Sequence, residues 1–158
     1  MRLSTRGEYG VRAMVALARL HGGSPVALTE IAAAETISLS YLEHLVAELR
    51  RAGLVTAIRG ASGGYRLARP PSQITIGEIV RPLESVSLTS CTDVVGDRDC
   101  CKRRPDCATR EFWQRVNAQL QDSLNSTTLA DLVPPDNQRL DSRLAVPGGR
   151  PVTEAKLA

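Results

Sequence analysis

Ile37-Ser38-Leu39-Ser40-Tyr41-Leu42-Glu43-His44-Leu45-Val46-Ala47-Glu48-Leu49-Arg50-Arg51 is the stretch on which the reading of the fold turns. Leu42, Leu45, Val46 and Leu49 recur at i, i+3, i+4 and i+7, the stripe of a helix with one face in a core. Ser38 or Ser40 suits the N-cap, where a hydroxyl accepts from orphaned first-turn N–H groups. Ser40, Glu43, His44, Ala47 and Arg50 fall off the stripe and face outward. Upstream, a helix is expected over residues 7–21. There Tyr9, Gly10, Ala13, Met14, Leu17, Ala18 and Leu20 recur at helical spacing, and His21-Gly22-Gly23 supplies the stop. A short second helix is expected over 28–35, anchored by Ile31. Downstream, 54–58 and 64–68 read as strands around the glycine-rich loop Arg59-Gly60-Ala61-Ser62-Gly63-Gly64. Three helices and a hairpin, closed by Pro70-Pro71, outline a winged helix-turn-helix.

Beyond that unit, Ile76, Ile79, Val80 and Leu83 predict an amphipathic helix over 74–83 that leads into a cysteine loop. A long helix is expected over 108–124, with Phe112, Trp113, Val116, Leu120 and Leu124 on one side. Residues 125–132 read as a cap followed by one short helix. From Pro134 onward Pro, Gly, Arg and Asp dominate without periodicity, so 134–158 is expected to be a disordered tail. The fold class is thus mainly α with a small β-wing. Residues 1–70 form the winged unit, and 71–133 hold the cysteine loop and the later helices.

The 158 residues suit about one domain, and the composition, 42% hydrophobic and 23% charged, is that of an ordinary folded chain. No apolar run approaches the ~18 residues of a membrane span, so no membrane partner is expected. Met1-Arg2-Leu3-Ser4-Thr5-Arg6-Gly7-Glu8 carries no apolar signal segment, which makes the cytoplasm the expected location. No catalytic pair or nucleotide-binding loop is evident, so an enzyme is not expected. Residues 1–90 hold ten arginines against seven carboxylates, a net of +3, while 91–133 net −1 and 134–158 net +1.

The positive excess therefore sits on the winged half, and its placement points to double-stranded DNA. Arg50 and Arg51 end the third helix, whose exposed N-terminal half would enter the major groove. Arg59 opens the wing, from which an arginine reaches a narrow minor groove. Ser38 and Ser40 are small enough for close approach and can donate to phosphate. Tyr41 and His44 share the helix. A carboxylate beside phosphate is repelled unless it accepts from a cytosine amino group, so Glu43 is a candidate specificity filter. The plainer alternative has Glu43 and Glu48 solvating a surface helix, with Arg50 and Arg51 complementing its dipole.

Cys91, Cys100, Cys101 and Cys107 are the only cysteines and fall within one 17-residue window. Such a cluster without distant partners reads as a metal site rather than a disulfide framework. The spacing lacks the paired C-x2-C of a zinc ribbon, and single thiolates spread through a loop suit an iron–sulfur cluster. Arg98, Lys102, Arg103 and Arg104 favour thiolates, partly offset by Asp97, Asp99 and Asp106. Four reduced, unliganded thiols or a labile disulfide would sit oddly in so polar a loop.

The chain resembles the family of bacterial iron–sulfur regulators that includes IscR and NsrR. The resemblance runs from Met1 to about Val133. It rests on Met1-Arg2-Leu3-Ser4, Ile37-Ser38-Leu39-Ser40-Tyr41-Leu42-Glu43, Arg59-Gly60, Gly63-Gly64-Tyr65, the cysteine loop, Trp113 and Thr128-Leu129-Ala130-Asp131-Leu132. It implies a homodimeric regulator whose long helices pair, with Cys91, Cys101 and Cys107 holding a cluster, 2Fe-2S favoured and 4Fe-4S the alternative. It also implies an IscR-like role over iron–sulfur biogenesis genes, with a nitric-oxide- or redox-sensing NsrR-like repressor as the alternative. A redox protein or cluster carrier is the reading from another class. The departure is Arg110, which stands where IscR-type members place a histidine ligand, and arginine does not ligate. Two candidates for the fourth ligand follow: Glu8 from the partner subunit, favoured, and Cys100.

Overall fold

Ser4 begins the first helix: its hydroxyl accepts from the Gly7 N–H, so the helix opens two residues before the expected start. The computed structural model describes residues 4–60, 62–86, 89 and 107–133. In order, the elements are α1 (Thr5–Arg19), α2 (Leu28–Glu35), α3 (Leu39–Arg51), β1 (Val55–Ile58), β2 (Gly64–Leu67), a 3-10 turn at Pro71–Gln73, α4 (Ile76–Val80), α5 (Arg110–Ser126) and α6 (Leu129–Leu132). The mainly helical class with a small wing is as expected. The expected tail, 134–158, and most of the cysteine loop lie outside the described residues.

Leu42, Leu45, Val46 and Leu49 of α3 are all buried, as the stripe requires. They meet Met14 and Leu17 of α1 and Ile31 of α2 in one apolar cluster. The turn between α2 and α3 is reached through Thr36 in a left-handed conformation, φ 56°. β1 and β2 pair antiparallel from Val55↔Leu67 to Ile58↔Gly64. An isolated bridge between Val26 and Tyr65 lays a third extended segment beside β2, with N–H···O distances of 2.9 and 2.8 Å. It depends on Gly64, where a Cβ would stand 2.5 Å from the Val26 carbonyl oxygen. At the wing tip Gly60 has φ 124°, a backbone conformation open mainly to glycine.

Two later boundaries differ from expectation. The helix expected over 74–83 is only Ile76–Val80, because Thr75 and Glu78 form a reciprocal capping box that starts it and residues 81–83 turn away. Ile74 is instead extended, and its carbonyl accepts from the Leu129 N–H at 2.9 Å. The long helix starts at Arg110 rather than 108 and runs to Ser126, absorbing two residues expected in a cap. Thr128 and Asp131 then box the short α6, which places Leu129, fully buried, in the same cluster as α1–α3.

Candidate nucleic-acid interface and cysteine loop

Ser38 holds the N-cap position of α3, yet its hydroxyl makes no capping bond. Ser38, Ser40, Glu43, His44, Arg50 and Arg51 are all exposed on that helix. Leu39, which the sequence did not single out, joins them at 37% exposed. Tyr41 is half-buried, its ring edge-on to Tyr9 of α1 with centroids 6.1 Å apart. Its ring therefore packs α3 against α1 rather than standing clear of the surface.

Glu48 corrects the plainer reading of a solvated charge. It accepts from Arg6 of α1 at 2.5 Å, and this bond raises the Arg6 pKa. A second tie joins Arg12 of α1 to Glu35 at the end of α2, through the carboxylate at 3.0 Å and through the backbone carbonyl. Arg12 also lies 5.3 Å from the Tyr9 ring centroid. Two guanidiniums on one helix thus fix both members of the helix-turn-helix. Periodicity could not reveal these pairs, since the partners are 42 and 23 residues apart.

Arg59 is exposed at the start of the wing loop. Arg50, Arg51 and Arg59 make no ion pair among the described residues, so their charge is left for an external anion. Uncompensated arginines and exposed polar α3 residues are the side-chain types that meet a polyanion with readable edges.

Of the cysteines, Cys91, Cys100 and Cys101 lie outside the described residues. Cys107 is half-exposed just before α5; its carbonyl accepts from the Arg110 N–H at 3.1 Å, and its Sγ is 3.4 Å from Thr109 Oγ1. Arg110 is the first residue of α5, one turn after Cys107. Glu8 sits in the first turn of α1 with its side chain 58% exposed and 4.0 Å from Arg12. Among the described residues no three His, Cys, Asp or Glu side chains converge as a metal site. The half-exposed Cys107 thiol and the exposed Glu8 carboxylate are the described side chains available as donors to an iron–sulfur group.

Residues 3–135 match the family model Rrf2, described as an iron-dependent transcriptional regulator. The chain is 44% identical over 132 residues to the transcriptional regulator CymR of Bacillus subtilis, covering 84% of this chain and 89% of that one. It is 38% identical over 159 residues to IscR of Sodalis glossinidius, covering 96% of this chain and 94% of that one. The solved structure of CymR, the global cysteine regulator of B. subtilis, superposes with a TM-score of 0.69 at 41% identity, covering 84% of this chain and 95% of that one. These relatives are regulators of transcription and not enzymes, in agreement with the missing catalytic constellation. The winged-helix architecture is theirs as well. CymR and IscR are similar to this chain to a like degree, which leaves the finer IscR-like assignment open to proposal. No helix among the described residues is long and apolar enough to cross a membrane.

Proposed function

The chain belongs to the Rrf2 family of helix-turn-helix transcriptional regulators, which bind DNA, and from that premise we propose that its operator affinity is set by an iron–sulfur cluster held in the cysteine loop. The observation that carries the cluster reading is Cys107, half-exposed at the start of α5 in a window holding all four cysteines of the chain. Cys91, Cys101 and Cys107 are the proposed ligands. Glu8 of a partner subunit is the proposed fourth, with Cys100 the alternative. When bound, the cluster supplies a tie sensitive to oxidation, nitric oxide and iron supply, with 2Fe-2S favoured over 4Fe-4S.

On the DNA side, α3 presents Ser38 and Ser40 to phosphate and Glu43 and His44 to base edges. Arg50 adds charge at the end of α3, and Arg59 enters the minor groove. Tyr41 holds α3 against Tyr9. Because Glu8 and Arg12 share α1, and Arg12 grips Glu35, the proposed ligand position is two contacts from the end of α2, the helix that precedes the reading helix. A homodimer is proposed, paired through α5. The genes served are proposed to be those of iron–sulfur biogenesis, with a nitric-oxide-sensing repressor as the alternative.

A second reading is favoured by the similarity to CymR, a cysteine regulator: control of cysteine metabolism through the same DNA-binding half. Iron, sulfide and native-mass analysis after anaerobic purification separates the two. Iron with acid-labile sulfide, and visible absorbance abolished in Cys91→Ala, is the expected result. Colourless, iron-free protein that still binds DNA would favour the CymR-like reading.

A further inference from the structure

A cleft of about 250 Å³ opens between the turn that follows α1 and the hairpin, apart from both surfaces described above. One wall is the turn 21–24, which brings His21 and Ser24; the other carries Thr56 and Arg66; Leu17 and Leu20 contribute apolar surface. Thr56 and Arg66 are cross-strand partners, so their side chains share one face of the hairpin. They sit one step from the Val55↔Leu67 end of the ladder, whereas the wing loop closes the Ile58↔Gly64 end. The cleft therefore lies at the base of the hairpin, away from the tip that carries Arg59.

Its chemistry is one-sided. No Asp or Glu lines it. The side chains of His21, Ser24 and Arg66 make no hydrogen bond or ion pair among the described residues. A guanidinium with no carboxylate in the surrounding wall is a docking point for an oxyanion, since its fork matches carboxylate and phosphate geometry. The imidazole and hydroxyl across the gap add shorter-range donors. The volume is slightly below that of a drug-sized pocket, roughly 300–1,000 Å³, and fits a small metabolite.

We propose that this cleft binds a small organic anion bearing a carboxylate or a phosphate, with Arg66 pairing its charge and His21 and Ser24 donating from the opposite wall. Such a ligand bridges the turn and the hairpin, so it favours the folded chain by mass action. The site needs no cluster and no DNA, so its test stands apart from that of the proposed function.

The test is calorimetric titration of the full chain with succinate, citrate and glycerol 3-phosphate at constant ionic strength, with glycerol as neutral comparator. A thermal melt of each mixture accompanies it. Saturable binding of at least one anion is expected, with a matching rise in melting temperature and none with glycerol; which anion binds distinguishes carboxylate from phosphate. Arg66→Glu, at an exposed position that the core does not use, should weaken binding at least tenfold. Arg81→Glu, which removes an exposed arginine outside the cleft, should leave it unchanged. No saturation by any anion at about 10 mM, well above the Kd of a weak millimolar site, overturns the proposal, and so does undiminished binding to Arg66→Glu.

Discussion

Thr36 is the only non-glycine residue at positive φ among those described, and it is β-branched, the type that tolerates the left-handed region least. It survives there because its neighbours hold the turn: Arg12 grips Glu35, and the Ile37 N–H bonds back to the Ala32 carbonyl at 3.0 Å. A left-handed non-glycine residue costs about 1–2 kcal/mol, and glycine's extra chain entropy returns about 0.5–1 of that. Thr36→Gly should therefore stabilise the chain by about 0.5–1 kcal/mol, raising the melting temperature by about 1–4 °C. Calorimetric melting checks it, and an unchanged or lower melting temperature would show that the turn is not strained. Arg59 belongs to the same scale, because nothing described compensates its charge. Arg59→Ala should weaken DNA binding and make the salt dependence shallower by about one phosphate's worth of slope. Binding isotherms across a salt series decide this, and an unchanged affinity and slope removes the wing from the interface.

At the scale of an element, α4 shows how little helix can be enough. It spans Ile76–Val80 and owes its start to the box in which Glu78 accepts from the Thr75 N–H at 2.9 Å and the Glu78 N–H donates to Thr75 Oγ1 at 3.2 Å. Arg69 adds a bond to the same carboxylate at 2.8 Å. The backbone N–H of Thr75, then Arg69, hold the Glu78 pKa below its ordinary value. A carboxyl whose pKa falls on folding binds fewer protons when folded. Its stabilisation is complete above the ordinary carboxylate value and is lost as pH drops through the lower, folded value. Glu78→Gln should thus cost stability at neutral pH and flatten the acid limb of the stability curve. Denaturant melts across pH 2–7 read both changes, and an acid limb as steep as wild type would remove Glu78 from the account.

Among the described residues of the whole molecule, one element is left without cover. No residue of α5 is buried, and Phe112 is 55% exposed beside the half-buried Trp113, Val116 and Leu120. Its contacts with the rest of the described chain include Leu124, Gln121 Nε2 donating to the Val86 carbonyl at 2.8 Å, and Asn125, which accepts from Arg81 at 3.3 Å. An apolar stripe so placed loses most by staying in water, at roughly 25 cal/mol per Å². A second α5 is the occupant that the proposed dimer supplies. Leu120→Arg should yield monomers in sedimentation equilibrium while circular dichroism stays that of the native chain. A monomeric wild type would end the dimer proposal.

The α3 stripe, the wing loop and the α2 boundaries were legible in the residues, because period, capping and glycine placement are local properties. The exposed set Ser38, Ser40, Glu43, His44, Arg50 and Arg59 follows from the same arithmetic once the buried face is known. The later boundaries were less legible: Ile74 has an apolar side chain that suits either helix or extended chain, and pairing with the 127–129 segment settled it as extended.

Local pattern thus sufficed for the class, the helix-turn-helix and the outward face of its reading helix. Contacts distant in sequence came only with the folded chain: Arg6 on Glu48, Arg12 on Glu35, Val26 beside Tyr65, and Leu129 returned to the first core. The cleft at the hairpin base is of this second kind. A period tells which way a side chain points, but which group it meets depends on how separate elements cross, and that is fixed by packing of the whole core.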